Sequence, residues 1–361
     1  MRVPLLDLKS QYRSVGQAIE AAARRVFQSG HFILGDEVVA FERSISDLAG
    51  IEHAVAVSSG SDALLLGLMA LGIGPGDEVI TSALSFFATA GAIVRLGARP
   101  IFTDIDPDTF NLDVRDALGR VTKKTRAIIP VHLFGRVADT TPLRQTGIPI
   151  VEDAAQAVGA RGLAAAPFCT LSFFPSKNLG AAGDAGMILA SDASLAAKLR
   201  LLRAHGSHPK YVHHEVGGNF RMDALQAAIL SAKLPFLSDW NARRRQNAMR
   251  YRELLSQTPL ILPVDSIKPG WHVWHHFVVR APDREKLRSW LSEREIETEV
   301  YYPVPLHLQP CFSAWGAKLG ALPHAEKAAS EVLALPIHPE LTADQIDFVA
   351  DQIVEFYRRP H

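Results

Sequence analysis

The chain has 361 residues, a length that predicts two domains, one large and one small, at roughly 150 residues per domain. Hydrophobic residues make up 48% of the chain and charged residues 21%, which is typical of a soluble globular protein and excludes disorder as the main state. The 38 basic and 38 acidic residues balance to zero net charge. We therefore expect no general attraction to nucleic acid or to an anionic membrane surface.

The cysteine count and the start of the chain bear on location. Cys169 and Cys311 are too few for a disulfide framework, which fits a reducing compartment. Asp7 and Lys9 stand where a secretory signal would need an apolar core. The longest uncharged stretch, Val79–Val94, is shorter than the roughly 20 apolar residues of a membrane span. The sequence thus predicts a cytoplasmic protein without a membrane segment.

Short apolar runs alternate with amphipathic segments between about residues 50 and 200, which is typical of an α/β fold with a mostly parallel sheet. The predicted strands are His53–Val57, Glu78–Ser82, Pro100–Asp104, Ala127–Val131, Pro149–Glu152, Thr170–Phe174 and Gly186–Ala190. The predicted helices between them include Asp62–Leu71, Phe87–Leu96 and Ser194–Ala204.

The pattern changes after this region. Asp223–Leu255 has helical spacing, with Pro235 as a possible kink, and a proline-rich passage follows. The predicted elements beyond it are a strand over Val273–Arg280, a helix over Asp283–Glu293, a strand over Glu297–Tyr301 and a helix over Thr342–Tyr357. We predict a large α/β domain over residues 1–255 and a small α+β domain over residues 256–361, with the first roughly 20 residues able to pack on the small domain.

A turn of small residues, Ser58 to Asp62, joins a predicted strand to a predicted helix. Such a turn offers free N–H groups and the positive end of the helix dipole to a phosphate. It matches neither the dinucleotide fingerprint G-x-G-x-x-G nor the P-loop. An ordinary helix cap is the alternative interpretation of the same residues.

Other polar and aromatic residues follow strands of the same predicted sheet, and ligands of open α/β sheets bind at such strand ends. Asp153, Gln156, Lys177 and Phe86 all stand there. A lysine amine can form a Schiff base with the aldehyde of pyridoxal phosphate (PLP), a carboxylate can keep the pyridine nitrogen protonated, and an aromatic ring can stack on the cofactor. A lysine beside proline and glycine is otherwise most often a surface residue.

The order of motifs resembles the DegT/StrS family of PLP-dependent nucleotide-sugar aminotransferases, which belong to fold type I of the aspartate aminotransferase superfamily. The resemblance covers nearly the whole chain and rests on Phe32–Gly35, Gly76–Ile80, Val131–Gly135, Glu152–Gln156, Ser172–Gly180, Gly218–Arg221 and Tyr301–His307. It implies a fold-type-I PLP-transferase with a large, mostly parallel sheet domain and a smaller α+β domain.

The resemblance also implies roles for single residues. Lys177 resembles the Schiff-base lysine that shuttles the proton, Asp153 the partner of the pyridine nitrogen, and Gln156 the donor to the ring hydroxyl. Phe86 matches the stacking aromatic residue. Gly60, Ser61 and Ser172 resemble the phosphate cup, and Asp62 acts there mainly as a helix cap.

The family pattern extends to a second subunit and to the substrate. Residues around Asn219 and Arg221 reach the neighbouring subunit's cofactor phosphate in the family, so the resemblance implies a homodimer with shared active sites. Tyr302 and His307 are candidate contacts for sugar hydroxyl groups, with a structural role as the alternative. The segment from Gly159 to Ser172 is shorter than in the family, so the resemblance implies a trimmed loop near the site.

The remaining histidines and arginines have simpler interpretations. His272, His275 and His276 lack the acidic partner of an H-E-x-x-H metal motif, so we expect no metal site. Arg243-Arg244-Arg245 is most simply a solvated helix face, with a contact to a nucleotide diphosphate as the alternative. His132 and His205 are interpreted as packing residues.

The function that this resemblance implies is transfer of an amino group, with glutamate as donor, to the ketone of a nucleotide-linked keto-hexose, in the biosynthesis of amino sugars for polysaccharides or antibiotics. A 3-keto sugar is favoured because His132–Asp139 and Tyr302–Pro305 look most like the 3-amino branch, although some 3-keto members carry histidine at the position of Tyr301. The alternatives are a 4-keto substrate, a sugar 3-dehydratase, which Lys177 argues against, and a non-catalytic regulatory homologue.

Overall fold

A computed structural model describes residues 1–164, 166–266, 268–315 and 318–359 of the chain. Two sheets organise these residues. The large sheet contains β1 (His53–Val57), β2 (Glu78–Ser82), β3 (Arg99–Thr103), β4 (Thr125–Ile129), β5 (Ile150–Asp153), β6 (Pro167–Ser172) and β7 (Gly186–Ala190), in the order β1-β7-β6-β5-β4-β2-β3. The small sheet pairs β8 (Phe277–Arg280) with β9 (Val332–Leu335).

Strand direction determines where the polar strand ends meet. Strands β2 to β6 are joined by parallel pairings, whereas β7 is antiparallel to both of its neighbours, β6 and β1. Consequently β1 runs in the same direction as β2 to β6, and the carboxyl ends of these six strands lie at one edge together with the start of β7. The prediction of an α/β fold with a mostly parallel sheet is confirmed.

The large sheet is buried because helices cover both of its faces. Along β7, Ile188 packs into an apolar cluster with Leu64 and Leu66, whereas Met187 packs into another with Phe41. This alternation of side chains between two covered faces explains why β7 has no polar side chain.

The predicted helices are present, and the helices over residues 8–29, 36–49, 114–119, 141–144 and 323–331 are elements that the sequence analysis did not name. The helix bounds are α1 (Leu8–Ser29), α2 (Asp36–Ala49), α3 (Gly60–Ala70), α4 (Ala88–Arg95), α5 (Val114–Gly119), α6 (Thr141–Arg144), α7 (Ala193–Arg203), α8 (Ala224–Lys233), α9 (Leu237–Leu254), α10 (Arg284–Ser292), α11 (Pro323–Glu331) and α12 (Ala343–Arg358).

The predicted long helix is divided in two. A 3₁₀ turn, Leu234–Phe236, separates α8 from α9. Pro235 lies in this turn, and proline has no N–H to continue the helical hydrogen bonds. The kink predicted at Pro235 is therefore a break between two helices.

The C-terminal part differs more from the predictions. The strand predicted over Val273–Arg280 is limited to β8, and the strand predicted over Glu297–Tyr301 is wrong. Only Glu299 forms a bridge there, with Ala334 of β9. The N–H of Val300 donates to the side-chain carboxylate of Glu299 (2.8 Å) rather than to a neighbouring strand, which ends the ladder.

The first residues of the chain contact its last third. Val3 pairs with Ile296 in a parallel bridge, and Arg2 forms an ion pair with Glu297 (3.0 Å). Helix α1, by contrast, packs against α8. One apolar cluster also joins Leu133 and Tyr251 to Phe277 across residues 255 and 256. The predicted domain boundary at this position stays a prediction.

Among the residues that the structure describes, no helix combines the length and apolar character needed to cross a lipid bilayer.

The glycine at the start of β7 generates a stability prediction. A Cβ atom on Gly186 would lie 2.7 Å from the backbone nitrogen of Gly60 and closer still to the Ser59 carbonyl. We expect Gly186→Ala to lower the free energy of unfolding by about 1–3 kcal/mol, because backbone atoms must move to make room. Urea denaturation measures this difference. Gly74→Ala, where the added atom meets open space, is the control and should change stability by no more than about 0.5 kcal/mol; equal effects would contradict the prediction.

Candidate active site

The turn between β1 and α3 presents free N–H groups at the carboxyl edge of the sheet. Ser59 caps α3, and its hydroxyl accepts a hydrogen bond from the N–H of Asp62 (3.1 Å). Among the described residues, no acceptor pairs with the N–H of Gly60 or Ser61. These groups lie at the positive end of the helix dipole, so the turn suits an anionic ligand such as a phosphate.

Asp62 acts within this turn. Its carboxylate accepts hydrogen bonds from the hydroxyls of Ser58 (2.7 Å) and Ser59 (3.0 Å). These bonds hold the hydroxyls of the turn in place, while the cap of α3 itself is Ser59 rather than Asp62.

Ser172, the last residue of β6, lies directly beside the turn. A Cβ atom on Gly60 would be 2.6 Å from the Cβ of Ser172, so only glycine permits this approach. The Ser172 hydroxyl accepts from the N–H of Phe174 (3.3 Å), which leaves its own proton available to a ligand. The structure thus brings Gly60, Ser61 and Ser172 together.

Asp153, the last residue of β5, is buried and held by two donors. The Thr89 hydroxyl donates to one carboxylate oxygen (2.8 Å) and the N–H of Ala155 to the other (3.2 Å). Burial raises the pKa of Asp153 above its ordinary value, although these hydrogen bonds and the positive charge of Lys177 act in the opposite direction. A cationic ring nitrogen is a partner that this carboxylate could stabilise.

Thr89 is a site residue that the sequence analysis did not identify. Its hydroxyl also pairs with the Ser85 hydroxyl (2.9 Å). Thr89 stands four residues after Ser85, one helical turn on, in the segment that carries Phe86, and this spacing of hydroxyl groups is the signal that could have revealed it.

Lys177 lies in the loop that follows β6. Its side chain is half-buried, and burial lowers the pKa of its amine to about 8, although the Asp153 carboxylate favours the charged form. An amine with this pKa is partly neutral near physiological pH and can act as a nucleophile or a base. The alternative interpretation of Lys177 as an ordinary surface lysine does not fit this environment.

Gln156 joins the site to the C-terminal third of the chain. Its side-chain oxygen accepts from the N–H of Phe134 (2.6 Å), and its amide nitrogen donates to the Tyr302 hydroxyl (3.2 Å). Burial raises the pKa of Tyr302 well above its ordinary value, so the hydroxyl stays protonated. The Phe86 ring lies 6.2 Å from the Tyr302 ring, centroid to centroid, and is 58% exposed. Tyr302 and Phe86 therefore lie near Gln156.

The structure does not bring His307 into this group. Its side chain is buried, and its Nε2 atom pairs with the carboxylate of Glu326 (3.0 Å). That carboxylate also accepts from the N–H groups of Gly320 and Leu322. This environment is typical of a structural histidine.

Asn219 and Arg221 are linked to each other near the turn before α3. The Nε atom of Arg221 donates to the side-chain oxygen of Asn219 (2.8 Å). The backbone of Arg221 pairs with Val57, and the carbonyl of Phe220 accepts from Ser58 (3.0 Å). Both side chains are at least partly open to solvent.

The remaining polar residues have structural partners. Nε2 of His132 pairs with the buried Glu152 (3.2 Å), which also accepts from Ala164 in the shortened segment; Ala165 of that segment lies outside the described residues. Burial lowers the pKa of His272 to about 3 and those of His275 and His276 well below the ordinary value. No group of three or more potential metal ligands occurs in the described part of the chain.

The interpretation of the arginine run as a solvated face is wrong for Arg244. Arg243 is exposed and pairs with Asp239 (2.9 Å), as a solvated face requires. Arg244 is buried, and its Nη1 atom donates to the carbonyl of His275 (3.2 Å). A run of three helical residues necessarily places its members in different directions, which the composition of the run did not reveal.

These groups fit PLP in their chemistry. The free N–H groups of Gly60 and Ser61 suit its phosphate, the buried carboxylate of Asp153 its ring nitrogen, and the amine of Lys177 its aldehyde. The doubly covered, mostly parallel sheet and these side chains define a PLP-dependent enzyme of fold type I.

Comparison with known proteins gives the family. The DegT/DnrJ/EryC1/StrS aminotransferase family matches residues 13–354, and the chain belongs to it. The chain is 48% identical, over 99% of both sequences, to a pleiotropic regulatory protein of Geobacillus stearothermophilus. It is 43% identical to the dTDP-3-amino-3,4,6-trideoxy-alpha-D-glucose transaminase of Streptomyces venezuelae, over 99% of this chain and 97% of the relative. The crystal structure of S. venezuelae DesV in complex with a ketimine intermediate is similar with a TM-score of 0.96 and 42% identity, covering 100% of both chains.

The environment of Lys177 generates a prediction for the protein without cofactor. We expect its reaction with a trace amine-acylating reagent, followed by peptide mass spectrometry, to increase through a pH midpoint of about 8, because burial disfavours the charged amine. Asp153→Asn removes the carboxylate that favours the charged form, so this variant should have a still lower midpoint. A midpoint near the ordinary value of 10.5 would contradict the prediction.

Proposed function

We propose that this aminotransferase transfers an amino group from glutamate to the ketone of a nucleotide-linked keto-hexose, with a 3-keto sugar as its substrate. The observation that carries the proposal is the presence, at one edge of the sheet, of the Lys177 amine, with its pKa of about 8, and the buried Asp153 carboxylate, each of which favours the charge of the other. The 43% identical relative from S. venezuelae is named as the transaminase for a dTDP-linked 3-amino sugar, which supports the substrate class.

Bound PLP would supply an aldehyde that takes up the amino group and a ring that accepts the electron pair left when a proton leaves the substrate carbon. Lys177 would hold the aldehyde in the resting enzyme and then move that proton, since its amine changes charge near neutral pH. Asp153, oriented by Thr89 and the N–H of Ala155, would keep the ring nitrogen protonated.

The other site residues would bind and orient. The N–H groups of Gly60 and Ser61 and the hydroxyl of Ser172 would hold the phosphate, with Asp62 stabilising the turn. Phe86 would stack on the ring. Gln156 would meet the ring hydroxyl through its amide nitrogen, which here donates to Tyr302. Its side-chain oxygen, held by Phe134, keeps that nitrogen directed into the site.

For the substrate we favour Tyr302 as a contact to a sugar hydroxyl, because its phenol lies within hydrogen-bond distance of Gln156 (3.2 Å). His307 would contribute through its buried pair with Glu326, which stabilises the segment next to Tyr302. A 4-keto sugar is the first alternative. A non-catalytic regulatory role is the second, and the name of the relative from G. stearothermophilus favours it; the presence of both Lys177 and Asp153 argues against it.

A panel of substrates tests this proposal. We expect the enzyme in its amine-loaded cofactor form to regain the PLP absorbance with UDP-, dTDP- or GDP-linked 3-keto hexoses, and faster than with the 4-keto isomers. Lys177→Ala should lose turnover by at least about 1,000-fold, because no other group moves the proton. Faster reaction with 4-keto sugars would contradict the substrate assignment. Absence of reaction with every sugar, together with normal PLP binding, would favour the regulatory alternative.

We further propose that the enzyme acts in the cytoplasm as a homodimer whose active sites are shared. Large apolar side chains are open to solvent, among them Phe86 (58% exposed) and Phe174 (51%) near the site and Val216 (91%) in the segment before Asn219. Exposed apolar side chains, where they adjoin one another, support a contact with another protein. Asn219 and Arg221 would reach the phosphate of the partner subunit. The backbone pairing of Arg221 with Val57 of its own chain makes a contribution within one subunit the alternative.

A complementation experiment separates these two arrangements. The Lys177→Ala variant and the Arg221→Ala variant are each expected to be inactive when assayed alone. Sedimentation should show that each of them is a homodimer. If Arg221 acts across the interface, mixing and re-pairing the two variants should restore roughly a quarter of the native activity, because half of the dimers are mixed and each mixed dimer has one intact site. No recovery, or an active monomer, would contradict the shared site.

A further inference from the structure

The loop that carries Lys177, which we call the lysine loop (residues 173–181), is folded tightly on itself. Within it, the N–H of Lys177 donates to the carbonyl of Phe174 (2.8 Å), and the N–H of Ala181 to the carbonyl of Phe173 (2.7 Å). A Cβ atom on Gly180 would lie 2.7 Å from the carbonyl carbon of Pro175. The backbone at Gly180 therefore determines how the loop closes around Lys177.

One side of the lysine loop is held by Asn178. Its amide nitrogen donates to the side chain of Asn241 (2.7 Å) and to the carbonyl of Val273 (3.0 Å). Its side-chain oxygen pairs with Nδ1 of His275 (3.0 Å). These contacts fix the residue immediately after Lys177.

The other side of the lysine loop is held by Lys233, the last residue of α8. Its side chain is buried, and its Nζ atom donates to the carbonyl of Gly180. The nearest aromatic face is that of Trp240, with the ammonium 5.9 Å from the ring centroid. Among the described residues, no carboxylate lies within ion-pair distance of the Nζ atom of Lys233. The more distant carboxylate of Glu340 favours the charged form of the Lys233 amine.

A buried amine without an ion-pair partner is costly, because its charge has lost the solvation of water. Burial accordingly lowers the pKa of Lys233 to about 8. An apolar side chain of similar length would pack at this position without that cost. What the amine adds is the hydrogen bond to the Gly180 carbonyl, three residues after Lys177.

We propose that Lys233 is a positioning residue for Lys177, whose buried amine anchors the Gly180 carbonyl and so keeps the lysine loop closed. The proposal rests on the role of Lys177 in the proposed function. Lys233 does not touch the reacting atoms. It acts by limiting the positions that the backbone of the loop, and with it the Lys177 amine, can adopt.

The cost of losing this anchor can be estimated. A displacement of about 1 Å at a reacting group can lower a rate by about 100-fold. The contacts of Asn178 remain after loss of Lys233 and hold one side of the loop. We therefore expect a smaller effect on kcat, about 10-fold, with little change in KM for the keto sugar because Lys233 lies outside the substrate contacts.

Lys233→Met tests the proposal, since methionine keeps an unbranched side chain and removes the donor. In the protein without cofactor, we expect amide hydrogen exchange in residues 173–181 to become at least about 10-fold faster. In the holoenzyme, a pH titration followed by the visible absorbance of the cofactor should have a different midpoint from that of the native protein. Lys233→Arg, which keeps a cationic donor, should restore both readouts toward the native values. Lys327→Met, at an exposed lysine of α11, is the matched control and should change neither.

The proposal would be overturned if Lys233→Met left either the hydrogen exchange of the lysine loop or the pH midpoint unchanged. A lower melting temperature would not rescue it, because the loss of a residue that only packs also lowers the melting temperature. If Lys233→Met does not fold, the same measurements on Lys233→Gln apply with the same criteria. Borohydride reduction of the native holoenzyme separately tests the proposed function: cofactor mass on a peptide other than that of Lys177 would refute the role of Lys177, whereas the exchange data would still report on the loop.

Discussion

The electrostatic attraction between Lys177 and Asp153, which lie at the same edge of the covered sheet, is the interaction on which the proposed chemistry depends. The two groups come from neighbouring strands, β5 and β6, whose parallel register brings their carboxyl ends to one edge. Burial shifts both pKa values toward the neutral forms, while each charge favours the charge of the other. A protein surface would provide neither effect. The covered sheet is therefore what moves the pKa values of this lysine and this aspartate away from their ordinary values.

The sequence predicts the parts of the fold that depend on local pattern. Strands β1, β2 and β7 have the predicted bounds, because each is a short run containing β-branched or other apolar residues between clear breaks. Strand β9 was not identified and the strand at Glu297–Tyr301 was wrong, because pairing in the small sheet depends on partners distant in sequence. The same holds within the site. Asp153 and Ser172 end strands and Lys177 follows one, so their positions could be predicted, whereas Thr89, Lys233 and the burial of His307 and Arg244 depend on tertiary contacts.

Several charged groups are buried at the junction of α8, α9 and the segment before β8. Lys233 and Arg244 donate mainly to backbone carbonyls, and burial lowers the pKa of Arg244 to about 10. Such groups reduce the stability that apolar residues would give at the same positions. Both groups hold backbone carbonyls beside the lysine loop and the His275 segment. Their presence there indicates that a fixed backbone near the cofactor matters more than maximal stability.

The bridge between Val3 and Ile296 has a consequence for synthesis on the ribosome. Helix α1 finds its partner α8 once the chain has been made through Lys233. The residues before α1 can form their native contacts only after Ile296 and Glu297 have been synthesised, which happens much later. Contacts between such distant parts of a chain form slowly, because a long loop must close first. Arg2 and Val3 are thus synthesised before α1, yet their native neighbours become available only after those of α1.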